Sequence, residues 1–277
     1  LSVLNAAFGI SEIVEENMAN AARVHAVERG KELENRTMIA FGGAAPVHAV
    51  RLARSLGIER IVIPTAAGVG SAIGFLRAPV AFEVVRSRYT LLDETFDADA
   101  LNAIFAAMRR EAEDIVSQAA PEAELIETRT ADMRYCGQGH EISFTLPPGP
   151  YDVFMREQCS ELFTAAYETA YGRHIPNVEI EVLNWTLRLS AYQDPPTACP
   201  DVPVYVAAES ASSRDVFDPD EGTMKLFPVY QRRDLRPGMI VQGPAIISED
   251  ETTSVVNKGY VARINGLGYI VISKESP

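Results

Sequence analysis

Two stretches of the chain combine glycines with residues suited to ligand chemistry. In the first, the apolar run Met38–Phe41 stops at Gly42 and Gly43, and Pro46 then opens a helical pattern. Glycine takes positive φ readily and lets a ligand approach the backbone. The unpaired N–H groups at a helix start attract anions or polar ligand atoms. The stretch therefore indicates a ligand site, with an ordinary strand-to-helix turn as the alternative.

His48 lies one turn into the helix that follows this glycine pair. From there its imidazole could reach a ligand held at the helix start. The alternative is that the ring packs against the neighbouring strand.

The second stretch is Gly137-Gln138-Gly139-His140-Glu141, which places an amide, an imidazole and a carboxylate between and beside two glycines. Such a group could orient a cyclic amide or a water molecule. The alternative is a glycine-shaped bulge whose polar residues face solvent.

An acidic run, Ser248–Thr253, adds a weaker candidate. A cation site needs oxygens that converge from a fixed loop, and we expect an exposed hairpin tip here instead. No HExxH, Cys/His metal pattern, GxSxG or Walker A sequence occurs, so the sequence predicts no metal site.

Composition narrows the classes of function. The chain has 277 residues, of which 47% are hydrophobic and 23% charged, so it can bury a sizeable core. A net charge of −13 argues against nucleic acid or anionic membranes as general partners. No apolar run approaches membrane-spanning length. The three cysteines lie far apart, which predicts reduced thiols and a cytoplasmic protein.

Three segments follow from the pattern of elements. Residues 1–92 read as α/β, because a strand, a helix and a second strand between residues 38 and 64 form a parallel βαβ unit. Residues 93–194 read as α+β, with a long helix that Asp97 caps. Residues 195–277 begin with a proline-rich connection and continue as short strands, which predicts a β-rich module.

Several stretches together resemble the hydantoinase A/5-oxoprolinase family, which also includes subunits of ATP-dependent ketone carboxylases. They occur in the same order along nearly the whole chain: Phe41–Ala49, Ile61–Pro64, Gly68–Gly74, Asp132–Glu141, Tyr167–Gly172, Gly243–Ile247 and Thr252-Thr253. Two departures stand out, since the family commonly has glycine at Ala45 and an aromatic residue at His140.

The resemblance implies that residues 1–92 are the C-terminal portion of an actin-like ATPase lobe, built from ribonuclease-H-like halves. Gly42, Gly43, Ala44 and Ala45 would then line a nucleoside pocket, with His48 nearby. The phosphate-binding loops are expected upstream, and ATP and Mg²⁺ are the expected cofactors of the intact protein.

The implied function is that of an ATP-dependent cyclic-amide hydrolase, acting on hydantoin or 5-oxoproline, with Gln138, His140 and Glu141 near the substrate or a domain interface. A ketone carboxylase subunit is one alternative. An assembly module that binds a hydantoinase B-type subunit is another, and a homo-oligomer stays open. Because the phosphate loops are missing, we expect the isolated chain neither to hydrolyse ATP nor to hold it tightly.

Overall fold

The computed structural model describes residues 2–218 and 221–275. The chain is a mixed α/β protein, as predicted, and it forms two compact units. Unit 1 joins residues 1–77 to residues 196–277, and unit 2 comprises residues 78–195. This grouping differs from the three segments that the sequence predicts, because strands from both ends of the chain share one sheet.

Five α-helices occur in the described part of the chain: α1 (Val3–Glu28), α2 (Ala45–Leu56), α3 (Gly70–Arg77), α4 (Ala98–Ala119) and α5 (Met155–Tyr171). The strands of unit 1 are β1 (Thr37–Ile39), β2 (Arg60–Ile63), β7 (Val206–Ala207), β8 (Ser212–Asp218), β9 (Thr223–Gln231), β10 (Met239–Gln242), β11 (Ala245–Ser248), β12 (Thr253–Val256), β13 (Tyr260–Ile264) and β14 (Ile270–Lys274). Those of unit 2 are β3 (Ala81–Leu91), β4 (Leu125–Tyr135), β5 (Ile142–Thr145) and β6 (Ile180–Ala191).

The larger sheet of unit 1 has the order β1-β2-β14-β13-β10-β7. Strands β1 and β2 are parallel and α2 connects them, which confirms the predicted βαβ unit. Strand β14 lies antiparallel to β2, with Ile272 opposite Ile61, and both side chains are fully buried. The β-rich C-terminal residues thus complete the sheet that the N-terminal residues begin, because β14 pairs with the edge of β2 that β1 leaves open.

The second sheet of unit 1 has the order β12-β11-β9-β8. Strands β11 and β12 form an antiparallel hairpin, and residues 249–252 make its turn. Strand β9 runs parallel to β11, so Gln231 lies opposite Ser248 at the ends of both strands.

Unit 2 is an antiparallel sheet in the order β3-β6-β4-β5, with a core shared by α4 and α5. Asp97 caps α4 as predicted, since its Oδ1 accepts from the N–H of Ala100 at 2.9 Å. Phe105 of α4 packs edge-on against Trp185 of β6, with ring centroids 6.1 Å apart. This packing covers one face of the sheet. The loop that follows β4 lies at the end of that strand.

Candidate functional site

The Gly42-Gly43 loop leads from the end of β1 to the start of α2. Gly42 has a φ of +106°, which favours glycine, and its N–H donates to the carbonyl oxygen of Ala67 at 2.6 Å. A Cβ built on Gly42 would meet no atom within 4 Å. The loop is therefore fixed on its inner side and open beyond its α-carbon.

The first turn of α2 continues this open surface. No side chain caps the helix start at Ala44, and Pro46 occupies the first turn as predicted. Gly43, Ala44 and Ala45 are exposed. The small residues leave a shallow backbone surface against which a flat ligand can lie without displacing a long side chain.

The turn at residues 249–252 contacts the Gly42-Gly43 loop through a hydrogen bond. Thr252 Oγ1 donates to the carbonyl oxygen of Gly43 at 2.9 Å, and Thr252 is only 6% exposed. The turn is closed by the N–H of Glu249, which donates to the carbonyl oxygen of Thr252 at 2.9 Å. One hydrogen bond thus joins two loops that are remote in sequence.

Gly68 allows the same turn to approach from the other side. A Cβ on Gly68 would lie 2.9 Å from the carbonyl oxygen of Glu251, too close for a real side chain, and a Cβ on Gly43 would lie 3.5 Å from the same oxygen. A Cβ on Gly70 would lie 3.2 Å from the ring of Phe41. Gly68 and Gly70 therefore serve close packing, whereas Gly42 and Gly43 leave room for a side chain.

These contacts correct the interpretation of Ser248–Thr253 as an exposed hairpin tip. Asp250 and Glu251 are exposed, but Thr252 is buried and the side chain of Glu249 is 8% exposed. The turn is held against the glycine loop, which a reading of local polarity misses. Across the described ranges no three His, Cys, Asp or Glu side chains gather as metal ligands would.

Glu249 faces Arg232, a second buried charge that the sequence reading did not single out. Arg232 Nε lies 3.8 Å from Glu249 Oε1, and the guanidinium also donates to the carbonyl oxygen of Gly268. Burial raises the pKa of Glu249, with the nearby Glu251 adding to the rise and Arg232 opposing it. Burial lowers the pKa of Arg232, against the attraction of Glu249.

His48 has a protein partner on α1. Its Nδ1 lies 3.1 Å from Glu15 Oε1, and Arg51 Nε lies 3.1 Å from the other carboxylate oxygen of Glu15. The imidazole also lines a cavity of about 180 Å³ with Phe227 and Lys258 among its other walls. The contact ties α2 to α1, and a part for His48 in ligand binding stays a prediction.

Gln138, His140 and Glu141 lie in unit 2, on the loop that joins β4 to β5. Gln138 Nε2 donates to Tyr167 Oη at 2.8 Å, so its amide is held in place. His140 and Glu141 are exposed. The structure thus orders one of the three candidates through α5 and leaves the other two at the surface.

A buried carboxylate, Glu181, lies at the base of the same loop. Arg134 Nε contacts Glu181 Oε1 at 2.6 Å, and this hydrogen bond holds the pKa of Glu181 below its ordinary value. Burial and the hydrogen bond to Glu181 raise the pKa of the Cys136 thiol, and burial raises that of Cys159 to about 12. All three cysteines are free. Cys136 and Cys159 are therefore protonated thiols at neutral pH.

Within residues 2–218 and 221–275, none of the helices combines the length and the hydropathy that a membrane span requires.

The protein is similar to curated relatives along almost all of its length. It is 28% identical to the caprolactamase subunit alpha of Pseudomonas jessenii over 94% of this chain and 38% of the relative. It is 25% identical to the acetone carboxylase beta subunit of Xanthobacter autotrophicus over 96% of this chain and 39% of the relative. The chain thus spans well under half the length of these relatives.

The fold agrees with a solved structure. The crystal structure of the ATP-dependent caprolactamase from Pseudomonas jessenii superposes with a TM-score of 0.76 over the whole chain and 41% of that structure, at 24% identity. The hydantoinase/oxoprolinase family model matches residues 1–84, and the model of the hydantoinase/oxoprolinase C-terminal domain matches residues 200–270. These two ranges cover more than half of the chain and contain the glycine loop and its supporting turn. The chain belongs to the hydantoinase/oxoprolinase family.

Proposed function

We propose that the chain is the C-terminal part of an ATP-dependent cyclic-amide hydrolase and forms the adenosine side of its nucleotide site. The observation that carries the proposal is the backbone surface at Gly42-Gly43, held from two sides by Ala67 and Thr252. The caprolactamase relative, whose name states an action on a cyclic amide, supports the substrate class. Residues 1–92 would belong to an actin-like ATPase lobe.

The residues present fit an adenosine. Gly42 is open beyond its α-carbon, and Gly43, Ala44 and Ala45 are small and exposed, so their backbone can lie against a purine or ribose. The family commonly has glycine at position 45, and the methyl group of Ala45 slightly reduces the space for the nucleoside. When bound, ATP supplies the phosphoryl group that activates the amide oxygen, and Mg²⁺ accompanies its phosphates. The chain itself would hold and orient the nucleoside.

Gln138, His140 and Glu141 are proposed to act near the substrate or a domain interface. Gln138 is the best ordered of them, because Tyr167 accepts one of its two N–H groups and leaves the carbonyl oxygen for a ligand N–H. A cyclic amide offers such an N–H beside its carbonyl. His140 and Glu141 are exposed and can meet a ligand or a second protein.

A ketone carboxylase subunit is the second candidate, favoured by the similarity to an acetone carboxylase beta subunit. Both relatives are named as subunits, which supports a further partner of the hydantoinase B type. We place the intact protein in the cytoplasm and expect this chain alone to lack ATP hydrolysis.

The test is substrate-dependent ADP formation by the full-length protein with its partner subunit. A cyclic amide such as caprolactam, hydantoin or 5-oxoproline should stimulate ADP release without added bicarbonate. Stimulation by acetone only in the presence of bicarbonate would favour the second candidate. If neither substrate class stimulates ADP release, both candidate functions are contradicted.

A further inference from the structure

Arg232 and Glu249 form a buried charged pair whose hydrogen bond is not closed. Their side chains are 10% and 8% exposed, and Arg232 Nε lies 3.8 Å from Glu249 Oε1. Neither atom has a hydrogen-bond partner among the described residues. An ordinary N–H···O bond would need about 2.9 Å. The distance between Arg232 Nε and Glu249 Oε1 is therefore about 1 Å longer than a hydrogen bond, although both side chains are largely buried.

The pair occupies the ends of two paired strands. Gln231 is opposite Ser248 in the parallel ladder of β9 and β11, so Arg232 and Glu249 are the residues that directly follow the two strands. Glu249 also opens the turn whose Thr252 donates to Gly43. A change in the position of Glu249 is therefore passed to the glycine loop through a turn of four residues.

Arg232 is itself anchored on another turn of unit 1. Its Nη2 donates to the carbonyl oxygen of Gly268, in the turn between β13 and β14. The guanidinium that Glu249 faces is therefore held in place by the backbone of that turn.

A gain in folding stability does not explain why this pair of charged residues is buried. Burying two charges costs more than an imperfect contact returns, and apolar side chains of similar volume are often as stable or more stable. A charged pair does fix the orientation of the residue 249–252 turn, because the Glu249 carboxylate faces the anchored guanidinium in only one placement of that turn.

We propose that Arg232 and Glu249 are positioning residues that set the place of the residue 249–252 turn and, through Thr252, the place of the Gly43 carbonyl in the nucleoside surface. That the ligand is a nucleoside rests on the proposed function. The raised pKa of Glu249 and the lowered pKa of Arg232 both have burial as their main cause.

The experiment compares the single variant Arg232→Met with the double variant Arg232→Met/Glu249→Met in the full-length protein. The single variant leaves a buried, unpaired carboxylate and should lower Tm, while the double variant should restore Tm toward the parent value. Two further readouts are the Kd for ATP by calorimetry and the amide exchange rate of the peptide covering residues 40–48. Glu221→Gln is the matched control, because Glu221 pairs with Lys225 and Lys258 at an exposed turn of the same sheet.

A positioning role predicts that the double variant, despite its recovered Tm, binds ATP about tenfold more weakly, a change of about 1.4 kcal/mol. Its 40–48 peptide should exchange faster while peptides of β13 and β14 stay protected. A double variant with parental ATP affinity and parental exchange would overturn the inference. If the parent protein binds no ATP, the proposed function fails, and the exchange rate still decides whether the pair positions the loop.

Discussion

Thr252 Oγ1 donates to the carbonyl oxygen of Gly43 at 2.9 Å across a separation of 209 residues. The bond connects the turn of the β11–β12 hairpin to the loop between β1 and α2. It joins the two ends of the chain that belong to one unit. The proposed nucleoside surface thus depends on residues from both ends of the chain.

Thr252→Val should weaken the nucleoside surface without unfolding the protein. Valine keeps the shape of threonine but cannot donate to Gly43, so unfolding free energy should fall by about 1 kcal/mol. ATP binding to the full-length protein should weaken several-fold, measured by calorimetry. Thr253→Val, on the next residue of the same hairpin, is the control and should leave ATP affinity unchanged. Equal affinities for both variants would contradict the role of the bond.

Gly68→Ala should displace the supporting turn. The new Cβ would lie 2.9 Å from the carbonyl oxygen of Glu251, so the backbone must move. We expect a loss of about 1–3 kcal/mol in unfolding free energy, as overpacking typically costs, and a weaker affinity for ATP. Gly74→Ala is the control, because its Cβ would meet nothing within 4 Å in α3 and should stabilise the helix. Denaturant titration separates the two, and similar effects from both would count against the close approach.

The buried Glu249 predicts a pH dependence of stability. Because burial raises its pKa in the folded protein, the folded state holds this proton more tightly than the unfolded chain. Its contribution to stability is full below the ordinary pKa of 4.5 and is lost as pH rises through the raised value. Unfolding free energy of the parent, measured by urea titration from pH 4 upward, should therefore lose a component that Glu249→Gln lacks. Parallel pH profiles for parent and variant would exclude this assignment.

Gln138 can be tested separately from the nucleotide site. Gln138→Met keeps the length of the side chain and removes its amide, and it should lower kcat for the cyclic amide while the Kd for ATP stays the same. Tyr167→Phe removes the hydrogen bond to Gln138 but keeps the amide. A substrate role predicts a larger loss for Gln138→Met than for Tyr167→Phe. If the two losses match, Gln138 acts only through its packing with α5.

Local pattern was enough to predict the elements around the site. The apolar run before Gly42, the proline at position 46 and the apolar run Ile61–Ile63 gave the parallel βαβ unit that the structure contains. The cap at Asp97 was equally local, because a side chain and a backbone N–H three residues apart decide it.

The parts that sequence did not predict depend on contacts between distant residues. The run Ser248–Thr253 looks like a solvated tip, and only the contacts of Thr252 with Gly43 and of Glu249 with Arg232 show that part of it is buried. No local pattern says that β14 will lie beside β2, which is why two segments of the chain appeared separate. Arg232 gave no signal either, since arginines that follow a strand are usually surface residues.

The proposed function requires that Phe41–Ala49 contacts the nucleoside of ATP. The most direct measurement is photolabelling of the full-length protein with an ATP analogue that reacts from its adenine ring, followed by peptide mapping. We predict that the label falls within residues 41–49 and that unlabelled ATP competes it away. Labelling confined to other peptides, in a preparation that still binds ATP, would contradict the claim.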